Sequence, residues 1–567
     1  MNGIFLTTIG LSLFAIGYIF YSKYISKKIY SINDNITPPS KEFEDGNDYV
    51  PTKRHILFGH HFTSIAGLAP IIGPCIAICW GWLPAFLWIV FGTIFIGAVH
   101  DFGALVISAK EKGKSIADIS GNVINPRVRI MFLIFVIILS WLVLAVFANA
   151  IAHLFSPSSD PLIAGTIKDI GPQAVIPINI EIILALIIGH YIYKKGGNAL
   201  LLSIIALVIL YISIFIGIKY PVSLSKNFWI CFLFLYSAIA SLLPVWRLLQ
   251  PRDFINSHQL ILALVIIFIS IFVSNPEIVI DAVQTHDKNP PIFPFIFITI
   301  ACGAISGFHG LVSSGTTSKQ LNNLKDSRMI GYGSALGEGT LALLTTVAAV
   351  CGVGIYLNIF PEHSHDLSHF ASAKSIRLET FPNTVAALMH HSLTSILGID
   401  SHSEALFSGL KTFVIIVMIS FAATTLDSAT RICRFMFKEL GESLRIKIFK
   451  NKITGTLLTI IPAALLLIIP IGDKSLGSFL WPLFGASNQM LAALTLMIIS
   501  FYFWHRGKNV FPLIIPMIFI SIICISSFVF NFFNYENSLL LCFNGILLSL
   551  VIWLLIEGFL HFIKHRK

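Results

Sequence analysis

Residues 55–81 read HILFGHHFTSIAGLAPIIGPCIAICWG, from His55 to Gly81. The stretch is long and apolar enough to enter a membrane, yet Gly67, Pro70, Gly73 and Pro74 crowd its middle. Proline removes a backbone donor and glycine admits unusual dihedrals, so the sequence predicts an interrupted helix. At membrane depth a broken helix is tolerated only where its freed amides and carbonyls line a cavity or bind something. In secondary transporters such interruptions mark the substrate and ion site near the midplane. A proline kink packed against neighbours is the plainer alternative; the Gly59-His60-His61 opening favours a binding site. His61, Ala66, Gly67 and Pro70 are the candidate substrate-binding residues here.

The rest of the chain sets this stretch in a membrane. Of 567 residues, 56% are hydrophobic and only 12% charged, with a mean hydropathy of +0.83, which is the composition of an all-α polytopic membrane protein. The net charge of +10 does not point to nucleic acid, because the basic residues sit in short loops between apolar runs. The eight cysteines lie in apolar segments and read as packing residues. Cys75 and Cys79, with no histidine or carboxylate beside them, are not expected to hold a metal. The first run, 3–21, has neither a basic n-region nor a small-residue cleavage site and is expected to remain as a helix.

Counting apolar runs of roughly 17 to 25 residues predicts about fifteen spans. They lie near 3–21, 57–80, 83–109, 129–153, 178–193, 199–218, 228–248, 258–274, 292–315, 333–357, 408–430, 453–471, 481–503, 511–533 and 539–562. An outside N-terminus and a cytoplasmic C-terminus put every basic cluster on one side, from Lys23-Lys27-Lys28 through Arg247-Arg252 to Lys564–Lys567. Residues 22–56 read as a cytoplasmic linker. Residues 358–407 form an outer loop carrying His363, His365, His369, His390, His391 and His402, long enough to hold surface helix. A metal on those histidines is the weaker reading beside a solvated polar loop.

Residues 299–320, TIACGAISGFHGLVSSGTTSKQ, are a second anomaly. Gly303, Gly307, Gly310 and Gly315 break an apolar run that also holds His309, Ser313 and Ser314. The topology runs this segment opposite to the first, and two interrupted helices of opposite direction are what an inverted repeat predicts. Close packing through small residues would need glycine too, but does not explain the paired Gly-His elements. A third stretch, 422–434, places Thr424 and Ser428 on one helix face with Thr425 and Asp427 beside them. Those hydroxyls could cage Na⁺, and Asp427 could carry a proton; alternatively Asp427 pairs with Arg431 and only anchors the helix. His100-Asp101, inside a span, requires a partner or a proton-relay role. Glu338 could face the same cavity, whereas Glu181 and Glu277 read as interfacial.

These words resemble the carbon starvation protein A family of bacterial inner-membrane transporters. The resemblance rests on Phe58–Phe62, Ile65-Ala66-Gly67, Gly73-Pro74 and His100-Asp101-Phe102. It continues through Ser306–His309, Ser313–Gln320, Thr425–Arg431 and Trp481–Gln489. Where members commonly carry Gln-Asp in the third span, this chain has His100-Asp101. The resemblance implies peptide or pyruvate uptake and similarity to the amino acid–polyamine–cation superfamily. Its LeuT-type core would hold two broken helices, extra helices and a helical lid in the outer loop; a seven-plus-seven inverted repeat is the alternative. Residues 1–56 would be an N-terminal helix and linker, 57–510 the transport core and 511–567 accessory helices.

The function expected is secondary active import by alternating access, coupled to H⁺ or Na⁺, in the inner membrane during carbon starvation. No enzyme activity, cofactor or resident metal is expected, nor any nucleic-acid partner. No nucleotide-binding word occurs in any loop. A membrane metalloenzyme using the histidine pairs is the rival reading, but His60-His61 and His390-His391 fall on opposite sides. A channel is the second rival.

Overall fold

The computed structural model describes residues 2–32, 36–157, 170–285, 289–360, 378–398, 403–468, 470–471, 474–475, 480–535 and 537–565. Apart from a two-residue ladder pairing Pro470–Ile471 with Lys474–Ser475, its elements are helices. Among the described residues eleven helices are long and apolar enough to cross a membrane, or twelve with the bent pair Arg54–Ile65 and Ala69–Trp80. Length and composition alone therefore do not reach fifteen. Lys226–Leu242 and Lys452–Ile468 are apolar but only 17 residues each. The second anomalous segment is cut into Ile292–Thr299, Ala301–Ala304 and Gly307–Gly315, none of which spans by itself.

The first interruption falls where expected. Ala66 leaves the helical region (φ −80, ψ 61) and the two halves are bent by 44°. Pro70 opens the second half, Ala69–Ala77, within its first turn, where its missing N–H has no intrahelical partner to lose. The second interruption lies at Ile300 (φ −94, ψ 44) and at Ile305 and Ser306, both extended. The glycines that drew attention to it are not the residues that break. They admit neighbours: a Cβ at Gly307 would stand 2.4 Å from the Asn488 carbonyl, and one at Gly310 2.9 Å from the His100 ring. Close packing and interruption thus occur together.

The two broken helices lie antiparallel. At one end a Cβ at Gly73 would meet the Thr299 carbonyl at 2.4 Å, so the backbones touch. At the other end Gly307–Gly315 packs on Arg54–Ile65. Around this pair stand Trp82–Lys110, Pro126–Phe155, Leu249–Ser274, Leu324–Ile359, Glu404–Ser443 and Leu480–Trp504. The peripheral helices Ala199–Lys219, Phe511–Asn534 and Ser538–His565 turn large apolar side chains such as Phe215, Phe533 and Phe559 outward, as lipid requires of a spanning surface.

Two connections carry structure of their own. Thr380–Leu397 is a helix within the 358–407 connection that, contrary to the surface helix expected, is buried against Leu249–Ser274, Leu324–Ile359 and Glu404–Ser443, with Ser392 Oγ 2.8 Å from Ser274 Oγ. His390 is buried there and His391 exposed, while His363, His365, His369 and His402 lie outside the described residues. At the other end the first helix runs on to Ile29, so Lys23, Lys27 and Lys28 ride on its last turns. Residues 45–52 then form a strap. Asn47 O accepts from Val245 N (3.2 Å), Val50 N donates to Lys319 O (3.3 Å) and Thr52 N to Gln320 O (3.1 Å). Lys319 lies over the Phe435 ring at 4.3 Å, and burial pushes its ammonium below the usual lysine range.

Candidate functional site

Where the broken helices meet lies a small cavity of about 10 Å³, room for about one water. Gly67 and Ala69 line it from the first, Ser306 and His309 from the second, and Thr425 from Glu404–Ser443, with Phe147 and Phe484 at its sides. Of the residues singled out by sequence, Gly67, His309 and Thr425 reach this cavity. Ala66 forms the turn itself. Pro70 sits against Gly303, and Gly307 against the backbone of Asn488. Ser313 is buried without a hydrogen-bond partner; Ser314 is structural, donating to Gly310 O (2.7 Å) and accepting from Ile116 N (3.3 Å).

One polar centre adjoins the cavity. Asp101 accepts from His100 Nδ1 through Oδ1 (2.7 Å) and contacts His309 Nδ1 through Oδ2 (2.9 Å). His309 Nε2 lies 3.3 Å from Glu338 Oε2. All four side chains are at most 3% exposed. The partner that His100-Asp101 required is therefore the second broken helix; Glu338 meets His309 there but does not line the cavity. Asp101 is held at this depth because each of its oxygens finds a donor.

A second centre lies between the first broken helix and its neighbours. Arg252 donates to Asp427 in a short contact and to Asp253 Oδ1 at 3.3 Å. Tyr236 Oη donates to Asp427 Oδ2 at 2.8 Å. Asp253 Oδ2 meets His60 Nδ1 at 2.6 Å and Ser64 Oγ at 3.3 Å. Three expectations are corrected here. Asp427 does not pair with Arg431, which turns instead to Asp48 of the strap (3.0 Å) and the Ala240 and Leu243 carbonyls. Arg252 is not a loop charge. Pro251 fits the first turn of Leu249–Ser274, so that helix starts early enough to carry Arg252 and Asp253 inside, both at most 1% exposed. Glu181 is not interfacial, because its helix starts at Gly171 and buries it against Ser420 Oγ (2.6 Å).

The hydroxyls expected to cage Na⁺ are bonded within the protein. Thr424 Oγ1 donates to Phe421 O (2.6 Å) and lies 3.2 Å from Thr63 O, Thr425 Oγ1 donates to Phe421 O (3.2 Å), and Ser428 Oγ lies 3.4 Å from Ser64 Oγ. A permanent cation, Arg252, stands beside them on Asp427. His60 and His61 part ways: His61 Nδ1 is 2.9 Å from Thr317 Oγ1, and its Nε2 has no hydrogen-bond partner.

Sequence reasoning passed over the residues that hold the second break open. Asn488 Oδ1 accepts from Phe308 N (2.9 Å), the second amide of Gly307–Gly315, while its Nδ2 donates to Ser306 Oγ (2.9 Å). Gln489 Nε2 donates to Phe297 O on Ile292–Thr299. Two adjacent carboxamides in an otherwise apolar run were the available signal, since such groups are retained at depth only with partners. For Arg252-Asp253 it was an opposite-charge pair directly ahead of an apolar run.

The chain is similar to several known proteins. The chain is 29% identical to the "Peptide transporter CstA" of Campylobacter jejuni over 95% of its own length and 81% of that protein's. It is 30% identical to the "Pyruvate/proton symporter BtsT" of Escherichia coli, over 92% of this chain and 80% of that one. Among solved structures it is similar to an Eremococcus coleocola manganese transporter, with 13% identity, a TM-score of 0.47 and coverage of 91% and 99% of the two chains. The sequence profile described as "Carbon starvation protein CstA" matches residues 2–527. This chain belongs to the carbon starvation protein CstA family.

Proposed function

We propose that the chain is a secondary active transporter that imports small carboxylate nutrients, short peptides or pyruvate, across the bacterial inner membrane. It works by alternating access and is coupled to H⁺. The observation that carries the reading is the small cavity between two antiparallel broken helices, with His309 on its wall and Asp101 and Glu338 behind it. The outward half-helix starts at Ala69 on the cavity, and a helix N-terminus offers amides and a positive dipole end to a carboxylate. The relatives, a peptide transporter and a pyruvate/proton symporter, supply the two substrate candidates and favour H⁺. Against Na⁺ stands Arg252, a resident cation beside hydroxyls already bonded to protein. Residues 57–510 form the transport core and the flanking segments are accessory, with the N-terminus outside and the C-terminus cytoplasmic. The carbon starvation setting goes with the family.

The test is uptake of labelled pyruvate and of a dipeptide panel into vesicles, with H⁺ and Na⁺ gradients imposed separately. Accumulation above equilibrium under the H⁺ gradient supports the proposal. Equilibration alone would make the protein a channel, and accumulation driven only by Na⁺ would remove the proton.

A further inference from the structure

The two polar centres differ in what fixes their charge. At Asp427 and Asp253 one cation is permanent, the Arg252 guanidinium, with His60 supplementing it. At Asp101 and Glu338 there is no permanent cation: two carboxylates share His309 between them, and His100 closes the far side of Asp101. The net charge of this second set is decided by protons alone. Two carboxylates cannot both stay ionised in a dry interior on one imidazolium without a further proton nearby.

Geometry ties the same group to the moving parts. His309 lies on Gly307–Gly315 of the second broken helix, three residues past the break at Ser306, and lines the cavity. Asp101 and Glu338 belong to two uninterrupted helices, Trp82–Lys110 and Leu324–Ile359. Any tilt of Gly307–Gly315 therefore changes both His309 distances, while Asp101 and Glu338 stay with their own helices. Glu338 Oε1, His309 Nε2 and His100 Nε2 make no hydrogen bond, the His309–Glu338 contact being an ion-pair distance of 3.3 Å, so the set has room to gain or lose a proton. The other titratable groups within electrostatic reach are His61 from the first broken helix, Cys302 from the second and Tyr30 from the first helix of the chain.

We infer that the His309–Glu338 pair is the proton-carrying site of the transport cycle, with Asp101 as the positioning residue for His309, while Asp427 stays ionised on Arg252 throughout. One proton enters the pair from outside as substrate occupies the cavity and leaves to the cytoplasm after release; no other bond changes. The inference rests on the proposed transport function and assigns that function's coupling to particular groups.

Proteoliposomes holding the full chain and an imposed pH gradient test it, with labelled pyruvate and dialanine as probes. Wild type must concentrate one of them; if it concentrates neither, the transport reading itself has failed, and this inference with it. Given wild-type accumulation, Glu338→Gln is expected to keep substrate counterflow, lose gradient-driven accumulation and flatten the pH profile of exchange. Glu338→Asp, which keeps a titrating carboxyl, is expected to restore accumulation. Accumulation by Glu338→Gln at the wild-type level overturns the inference. So does loss of counterflow in both variants, since the carboxyl would then serve folding or substrate binding rather than protons.

Discussion

The Arg252 centre makes a quantitative prediction about stability. Replacing Arg252 by Met removes the only permanent cation from two buried carboxylates, leaving Asp427 with Tyr236 and Asp253 with His60 and Ser64. Breaking a buried pair by removing one partner costs about 3–5 kcal/mol, while replacing both partners by apolar groups of similar size is often neutral. Asp427→Leu is expected to cost less than Arg252→Met, because Arg252 keeps Asp253 and Tyr236. In the double variant Arg252→Met/Asp427→Leu the lone charge on Asp427 is gone, so its loss should fall well short of the summed singles. A coupling of about 2–3 kcal/mol is expected, where independent sites add within about 0.5 kcal/mol. The assay is unfolding of the purified protein by SDS in mixed micelles, followed by the fluorescence of its nine tryptophans. Additive losses would refute the reasoning, since they would mean that Arg252 and Asp427 are not each other's principal partners.

Further predictions concern packing, capping and topology. Gly73→Val should abolish folded protein or uptake, because its Cβ would meet the Thr299 backbone, and overpacking of this kind costs about 1–3 kcal/mol or more; Gly409→Ala, with nothing near it, should be silent in the same assays. Asn488→Leu leaves the Phe308 amide and Ser306 hydroxyl unmatched, so the SDS midpoint should fall by a loss of about 1–3 kcal/mol. Arg431→Gln should free the strap, read as faster labelling of a cysteine at Asn47 in a cysteine-less background; unchanged labelling would remove the Asp48 ion pair from any holding role. Cysteines at Ser364, which lies outside the described residues, and at Lys508 should react with an impermeant reagent from opposite sides, and labelling of both from outside would overturn the topology.

What could be read in one dimension was local. The Gly67–Pro74 cluster announces a break because the chemistry that forbids a helix there sits within a few residues of it. The second break was placed only to within its glycines, since Ile305 and Ser306 carry no such mark and are held extended by Asn488, 182 residues away from Ser306. Partners at long range were the illegible part. Arg252 and Asp427 are 175 positions apart, and Asp427 has a nearer arginine, Arg431, that helical spacing offers and the fold assigns elsewhere. Glu181 was misplaced for a simpler reason: Pro172 and Pro177 hid the start of its helix, so an interior residue looked terminal. His309, Asp101 and Glu338 were each visible as costly groups in apolar runs, but nothing in the sequence says that one imidazole serves both carboxylates.

The strap binds together two pieces that the breaks had separated. Residues 50–52 precede the half-helix Arg54–Ile65, and residues 319–320 follow the half-helix Gly307–Gly315. Backbone bonds join these two segments, and the contacts of His61 with Thr317 and of His60 with Gln320 (3.2 Å) repeat the join higher up. For either half-helix to swing by itself, all of these would have to part at once. Arg54–Ile65 and Gly307–Gly315 are therefore yoked, and any swing of one is the motion of a paired lever turning about the breaks at Ala66 and Ser306.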